Sequence, residues 1–236
     1  MYRLLFLICI YFYGNHFSFS QGNERFRIGS DEEIEKAIPA NERYRFENFR
    51  QGEVLFQNGT QANARLNYNL LIEEMQFVDI TGDTMSLADE HLIKRIKLGE
   101  NIFYYDEKSG FVEVIGDYTP VKLSIHQKFT TVNAEKMGAY GQSSAVSSIK
   151  TYSSYSTSNG QRQNLKLKGD VVLAIESIFY LVDQNNRIYK ANKSAIRKIF
   201  PEQKQAIQEY VKQEAIDFND EEDLKKLLQY SSEISS

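Results

Sequence analysis

The sequence predicts an α+β fold: an antiparallel β-rich body, arranged as a sheet, sandwich or partial barrel, followed by a C-terminal helical hairpin. Three observations predict it. Between Gly52 and Lys190, apolar and polar residues alternate in short runs, the period of half-buried strands. Turn-forming residues such as Asn58-Gly59 separate those runs, supplying the positive φ angles of tight hairpins. Beyond Asn192 the apolar residues recur three and four apart, which is the period of a helix with one covered face.

At the amino end, Arg3 precedes an apolar run from Leu4 to Tyr13, and small residues at Ser18 and Ser20 precede Gln21. That order is the pattern of a secretory signal peptide cut after residue 20. The run is too short for a permanent transmembrane helix, so no span is expected after cleavage. The expected locations are the periplasm or the extracellular space. Residues 21–51 are polar and charged and read as an arm with one brief helix, Ser30 capping it, Glu33 reaching back and Pro39 stopping it.

The β-rich domain is expected over 52–191. Glu53–Gln57 turns at Asn58-Gly59 into a strand with Ala62, Ala64, Leu66 and Tyr68 on one face. Met75–Ile80 and Thr84–Leu87 form a second hairpin, followed by short strands at Ile93–Leu98, Ile102–Tyr105 and Phe111–Ile115. Along Val121–Phe129, Val121, Leu123, Ile125 and Phe129 point inward, and Lys122, Ser124, His126 and Lys128 point to water. Val171–Val182 is apolar on both faces apart from Glu176 and Ser177, which reads as a central strand covered on both sides. Asp183–Arg187 turns it into Ile188–Lys190. The helices of 192–236 follow: Ile207, Tyr210 and Val211 make one stripe after Pro201, and Asn219 caps a last helix that buries Leu224, Leu227 and Leu228.

Composition excludes several chemistries. Cys9 is the one cysteine and lies in the signal, so a mature chain has no disulfide framework, thiolate metal site or cysteine nucleophile. Of 28 Lys and Arg, removing Arg3 leaves 27 against 32 acids, a net of −5, which disfavours nucleic acid and anionic lipid as partners. A charged share of 25% alongside 42% hydrophobic residues is that of a globular chain, not a disordered one. No cofactor motif is present, and none is expected.

Candidate chemistry is sparse. Ser147 and Lys150 have the Ser-x-x-Lys spacing of penicillin-recognising enzymes, but in a Ser-rich tract without the companion motifs. His91 and His126 are too few for a zinc site, and His126, on the polar face of its strand, reads as a solvated histidine. Glu73/Glu74 and Asp106/Glu107 are adjacent pairs whose members point to opposite faces, the wrong arrangement for glycosidase work. Asp83-Thr84-Met85 has the form of an O-linked sugar acceptor on exported proteins. The most distinctive stretch is the Ser-rich loop 138–160, where Tyr140, Tyr152 and Tyr155 could stack on a sugar or peptide.

The run Gly52-Glu-Val-Leu-Phe-Gln-Asn-Gly-Thr60, then Ala64-Arg-Leu-Asn-Tyr-Asn-Leu-Leu71 and Glu74-Met-Gln-Phe77, resembles exported proteins of Bacteroidota. So do Gly138-Ala-Tyr-Gly141 with its Ser-rich continuation and the C-terminal helices. That resemblance implies an exported single-body protein, and it carries no activity and no site residue. The reading that follows is a non-catalytic binding or scaffold module of the envelope, acting on an unknown envelope protein or ligand. Two alternatives stay open: an envelope hydrolase with an unrecognised site, and a carrier of a lipid or other apolar ligand.

Overall fold

The computed structural model describes residues 25–29, 32, 34–132 and 171–235. The architecture is α+β, with an antiparallel sheet of eleven strands as its body. The strands are β1 (Arg25–Ile28), β2 (Arg50–Phe56), β3 (Gln61–Asn69), β4 (Glu74–Val78), β5 (Thr84–Ser86) and β6 (Ile93–Leu98). They continue with β7 (Asn101–Asp106), β8 (Gly110–Tyr118), β9 (Val121–Val132), β10 (Val171–Asp183) and β11 (Ile188–Lys190). Helices are α1 (Ile34–Ala37), α2 (Ala40–Arg43), α3 (Lys193–Ile199), α4 (Lys204–Gln213) and α5 (Glu221–Glu233).

Two meanders share one seam. β2–β5 run outward by successive hairpins, and the chain then returns to lay β6 against the other edge of β2. From there β6–β9 run outward in the opposite direction, and β10 adds to β9. Gly52 sits on the seam. A Cβ there would stand 2.9 Å from the Lys97 carbonyl oxygen and 3.0 Å from Leu66, so β2 can approach β6 this closely only without a side chain.

The sheet curls. Phe129 N–H donates to the Leu70 carbonyl at 3.1 Å, bringing the far half of β9 to the end of β3 although four strands separate them in the sheet. The curl encloses Leu66, Tyr68, Met75, Ile96, Phe103 and Phe111 among other buried side chains. Twisted sheets of this width tend to coil in this way, because each strand is rotated relative to its neighbour.

A second core lies under the helices. Val121, Leu123, Ile125, Phe179 and Leu181 present one sheet face, and Ile196, Ile207, Val211, Leu224, Leu227 and Leu228 cover it. The C-terminal region thus holds three helices where the pattern predicts a helical pair, with Tyr210 and Tyr230 stacked at 4.1 Å. Asn192 caps α3 by accepting from the Ser194 and Ala195 amides, and Asp220, one residue past the expected Asn219, caps α5 through the Asp223 amide.

Residues 25–51 also contribute buried side chains. Ile28 and Ile38 pack with Val171 and Leu173, and Phe46 enters the curl. Asn67 holds Phe46 in place twice, its Oδ1 accepting from the Phe46 amide at 3.2 Å and its Nδ2 donating to the Phe46 carbonyl at 2.7 Å.

β10 is one strand from the end of the sheet instead of central. β1 pairs with its first four residues and β11 with three near its end, and Glu176 is exposed. Its two-sided apolarity comes from helices on the face of Phe179 and Leu181 and from Tyr104, Val112 and Ile188 around Val182 on the other.

Candidate functional site

Tyr140, Tyr152, Tyr155, Ser147 and Lys150 lie outside the described residues, as does the segment 1–20 that reads as a signal. Within them, polar groups converge where the sheet closes on itself, at the β3–β4 turn and β9.

His126 corrects the expectation of a solvated ring: it is 3% exposed. Its position on β9 follows the predicted alternation, but the curl covers that face as well, burying Ser124 with it. Nδ1 of His126 lies 2.9 Å from the Phe111 carbonyl oxygen. Nε2 lies 3.1 Å from Glu73 Oε2. Both neighbours are acceptors. Both ring nitrogens are therefore engaged.

Glu73 reaches the ring from a left-handed backbone position, φ 58°, and Lys128 Nζ stands 3.9 Å from the same oxygen. Its neighbour Glu74 turns the other way, to the Ser86 hydroxyl. The two carboxylates have different partners, Glu73 from the turn and Glu74 from β4. Burial pushes the Glu73 carboxyl up, but the His126 hydrogen bond and the Lys128 and His126 charges outweigh burial and hold it below its ordinary value.

That lowered value has a measurable consequence. Glu73 contributes stability that is fully present above its unfolded value of about 4.3 and is lost as pH falls through the folded value. The melting temperature of the wild-type protein should therefore fall more steeply below about pH 4.3 than that of Glu73→Gln. Parallel curves for the two proteins would show that the carboxylate is not held by His126 and Lys128.

Tyr68 stands beside this pair, its ring 6.5 Å from the imidazole. Its hydroxyl is buried without a hydrogen-bond partner among the described residues. Burial first, then the Glu73 and Glu90 charges, raise it well above the ordinary tyrosine value, so it stays neutral. Burial also raises the Glu90 carboxyl; the Tyr105 hydroxyl lowers it and Glu74 raises it further. Tyr105 itself is pushed up to about 12, by burial and then by Glu90.

A second polar cluster sits around Glu113, which is 3% exposed on β8. Arg45 Nε donates to its Oε2 at 2.6 Å, and Asn101 Nδ2 donates to its Oε1 at 2.7 Å. Arg50 donates onward to Asn101 Oδ1 at 3.4 Å and lies 3.9 Å over the Phe46 ring. Both oxygens of Glu113 are committed, and so are both nitrogens of His126.

The β5 end of the sheet is different. Leu66, Phe77 and Met85 stand directly opposite one another on β3, β4 and β5. Exposure rises along that row: Leu66 is fully buried, Phe77 half-buried and Met85 50% exposed. Ile80, at the tip of the β4–β5 hairpin, is fully exposed. The turn beneath it is rigidly built, with Asp79 Oδ1 accepting from the Thr81 and Asp83 amides at 2.9 Å. The alternation in 74–87 was legible as a hairpin. That it ends the sheet was not, because strand order is non-local. Thr84, of the expected sugar acceptor, is exposed there.

His91 is exposed within the short 3-10 turn Glu90–Leu92. Among the described residues, no group of three or more His, Cys, Asp or Glu side chains could hold a metal ion, and no helix is long and apolar enough to cross a membrane. No protein-family model matches the chain, and neither does any curated protein or solved structure.

Proposed function

We propose that this protein is a non-catalytic binding or scaffold module of the bacterial envelope, exported by its leader to the periplasm or cell surface. The observation that carries the reading is the unfinished apolar row at the end of the sheet. Leu66 and Phe77 are packed into the core, whereas Met85 beyond them is half in water. Large apolar side chains left at a rigid rim, with Ile80 alongside, mark a contact surface.

Two further features support it. His126 bonds internally to Phe111 and Glu73, and Glu113 to Arg45 and Asn101. In this reading α4 and α5 form a helical hairpin that braces the β8–β10 end and leaves the β5 end to the partner. The likeness of 52–77 and 138–141 to exported Bacteroidota proteins agrees with an envelope role.

The test is chemical cross-linking in cells expressing a tagged chain, followed by affinity capture from envelope extracts. One or a few proteins enriched over the tag alone are the expected result. Recovery of nothing above that control would overturn the reading.

A further inference from the structure

The geometry points to β5 as a docking edge for an extended, cationic and apolar peptide segment of a partner protein, added to the sheet as its next strand. This rests on the binding-module reading above and names the partner's chemistry.

Backbone comes first. Among the described residues no strand pairs with the outer side of β5. The ladder to β4 runs through Asp79 N–H to Asp83 carbonyl at 2.9 Å and Leu87 N–H to Met75 carbonyl at 2.9 Å, with Phe77 opposite Met85 between them. Hydrogen-bonded and non-hydrogen-bonded pairs alternate along an antiparallel ladder. Met85 therefore bonds inward to β4, while the N–H and C=O groups of Thr84 and Ser86 face outward. These are the groups an added strand would use.

The edge is already held in shape. Asp79 closes the turn at one end. At the other, Tyr44 Oη donates to Gln76 Oε1 at 2.8 Å, Gln76 Nε2 donates to Ser86 Oγ at 3.3 Å, and Ser86 donates to Glu74. A preformed edge loses little conformational freedom when a partner arrives. Native edges are commonly blunted by charged residues. The opposite edge of this sheet, β1, carries Arg25 and Arg27, whereas Thr84-Met85-Ser86 carries no charge.

Side chains then select the occupant. An apolar residue opposite Met85 would extend the Leu66–Phe77–Met85 row by one strand. Charge decides the rest: from Leu66 to Glu90 the chain has no Lys, Arg or His, and Glu74, Asp79, Asp83 and Asp89 lie on or beside the β4–β5 hairpin, whereas Glu73 is already met by His126 and Lys128. Hydrogen bonds from Thr81 hold Asp79 below its ordinary value, so it stays ionised. A second copy of this chain would bring the same acids against these and be repelled; a lysine- or arginine-bearing strand is complementary.

The test uses the folded chain and a short labelled peptide alternating lysine with valine, with its glutamate–valine counterpart as control, read by fluorescence anisotropy. The lysine peptide should bind and the glutamate peptide should not. Thr84→Pro removes an outward N–H at an edge position where proline is tolerated. With that outward bond lost, affinity should fall about fivefold at an unchanged melting temperature. Met85→Lys, a surface change that ends the apolar row and adds a like charge, should weaken binding as well.

Equal binding to the wild type, Thr84→Pro and Met85→Lys would mean charge adhesion only and would overturn the proposal. Failure of the lysine peptide to bind would do the same, as would self-association in sedimentation that Thr84→Pro abolishes, which would make a second copy the occupant. In the cross-linking experiment, a partner captured equally by wild type and Thr84→Pro removes β5 as the edge but leaves the binding reading intact. Capture by neither removes that reading itself.

Discussion

Phe103→Ala is expected to lower the unfolding free energy by about 4 kcal/mol, measured by urea denaturation. Phe103 is 2% exposed and sits where three parts of the chain meet. Its ring is edge-on to Phe46 at 6.3 Å and tilted against Tyr68 at 6.1 Å, so β7, β3 and the segment before β2 share one contact. Removing the ring costs the transfer energy of its carbons and leaves a cavity that the strands cannot collapse around, because β7 is held on both sides by β6 and β8. Asn67 would still tether the Phe46 backbone, so Phe46 could not swing in to fill the gap. Domains of this kind have about 5–15 kcal/mol in all. A cost below about 1 kcal/mol would show that the curl is not joined through this ring.

Arg45→Ala should cost about 3 kcal/mol. The reason is the group left behind: Glu113 would keep Asn101 but lose its charge partner while 3% exposed. Arg45 is a quarter exposed, so water can partly replace it, which keeps the figure at the lower end for a broken buried pair. The double variant Arg45→Met/Glu113→Leu should be markedly less destabilised than Arg45→Ala, since two apolar side chains leave no buried charge uncompensated. A double-mutant cycle measures the coupling. If Arg45→Ala and the double variant cost the same, the pair contributes shape and not charge compensation.

Much of the strand content could be read from the chain. Asn58-Gly59 and Gly110 occupy turn positions in the structure, Gly59 at φ 86° and Gly110 at φ 66°, and the runs between such turns are the strands β2 to β11. Those signals are local: a side-chain period of two and a residue able to adopt positive φ act within a few positions. The helical stripe of Ile207 and Val211 and the Leu224, Leu227 and Leu228 face are legible for the same reason. β1 escaped notice because four residues, Arg-Phe-Arg-Ile, are too few to establish a period, and only pairing with β10 makes them a strand.

His126 shows where local reasoning fails. Its alternation with Ile125 correctly places it on the face opposite the helices, yet solvation does not follow from polarity. The Phe129–Leu70 closure folds the β3–β4 turn over that face and supplies Glu73 as a partner. β10 fails in the same way, its apolar faces being covered by helices and by aromatic side chains while its outer edge is only partly paired.

The order of side chains along the chain was therefore enough to determine most of the strands, their turns and the amphipathic helices. Tertiary structure alone decided which sheet faces are covered, which acids meet a base, and which strand is left at the rim with half a methionine in water. The physical reason is distance: period and turn chemistry act over a few residues, whereas burial and charge pairing depend on contacts such as Arg45 with Glu113 and Glu73 with His126, made between residues far apart in the chain.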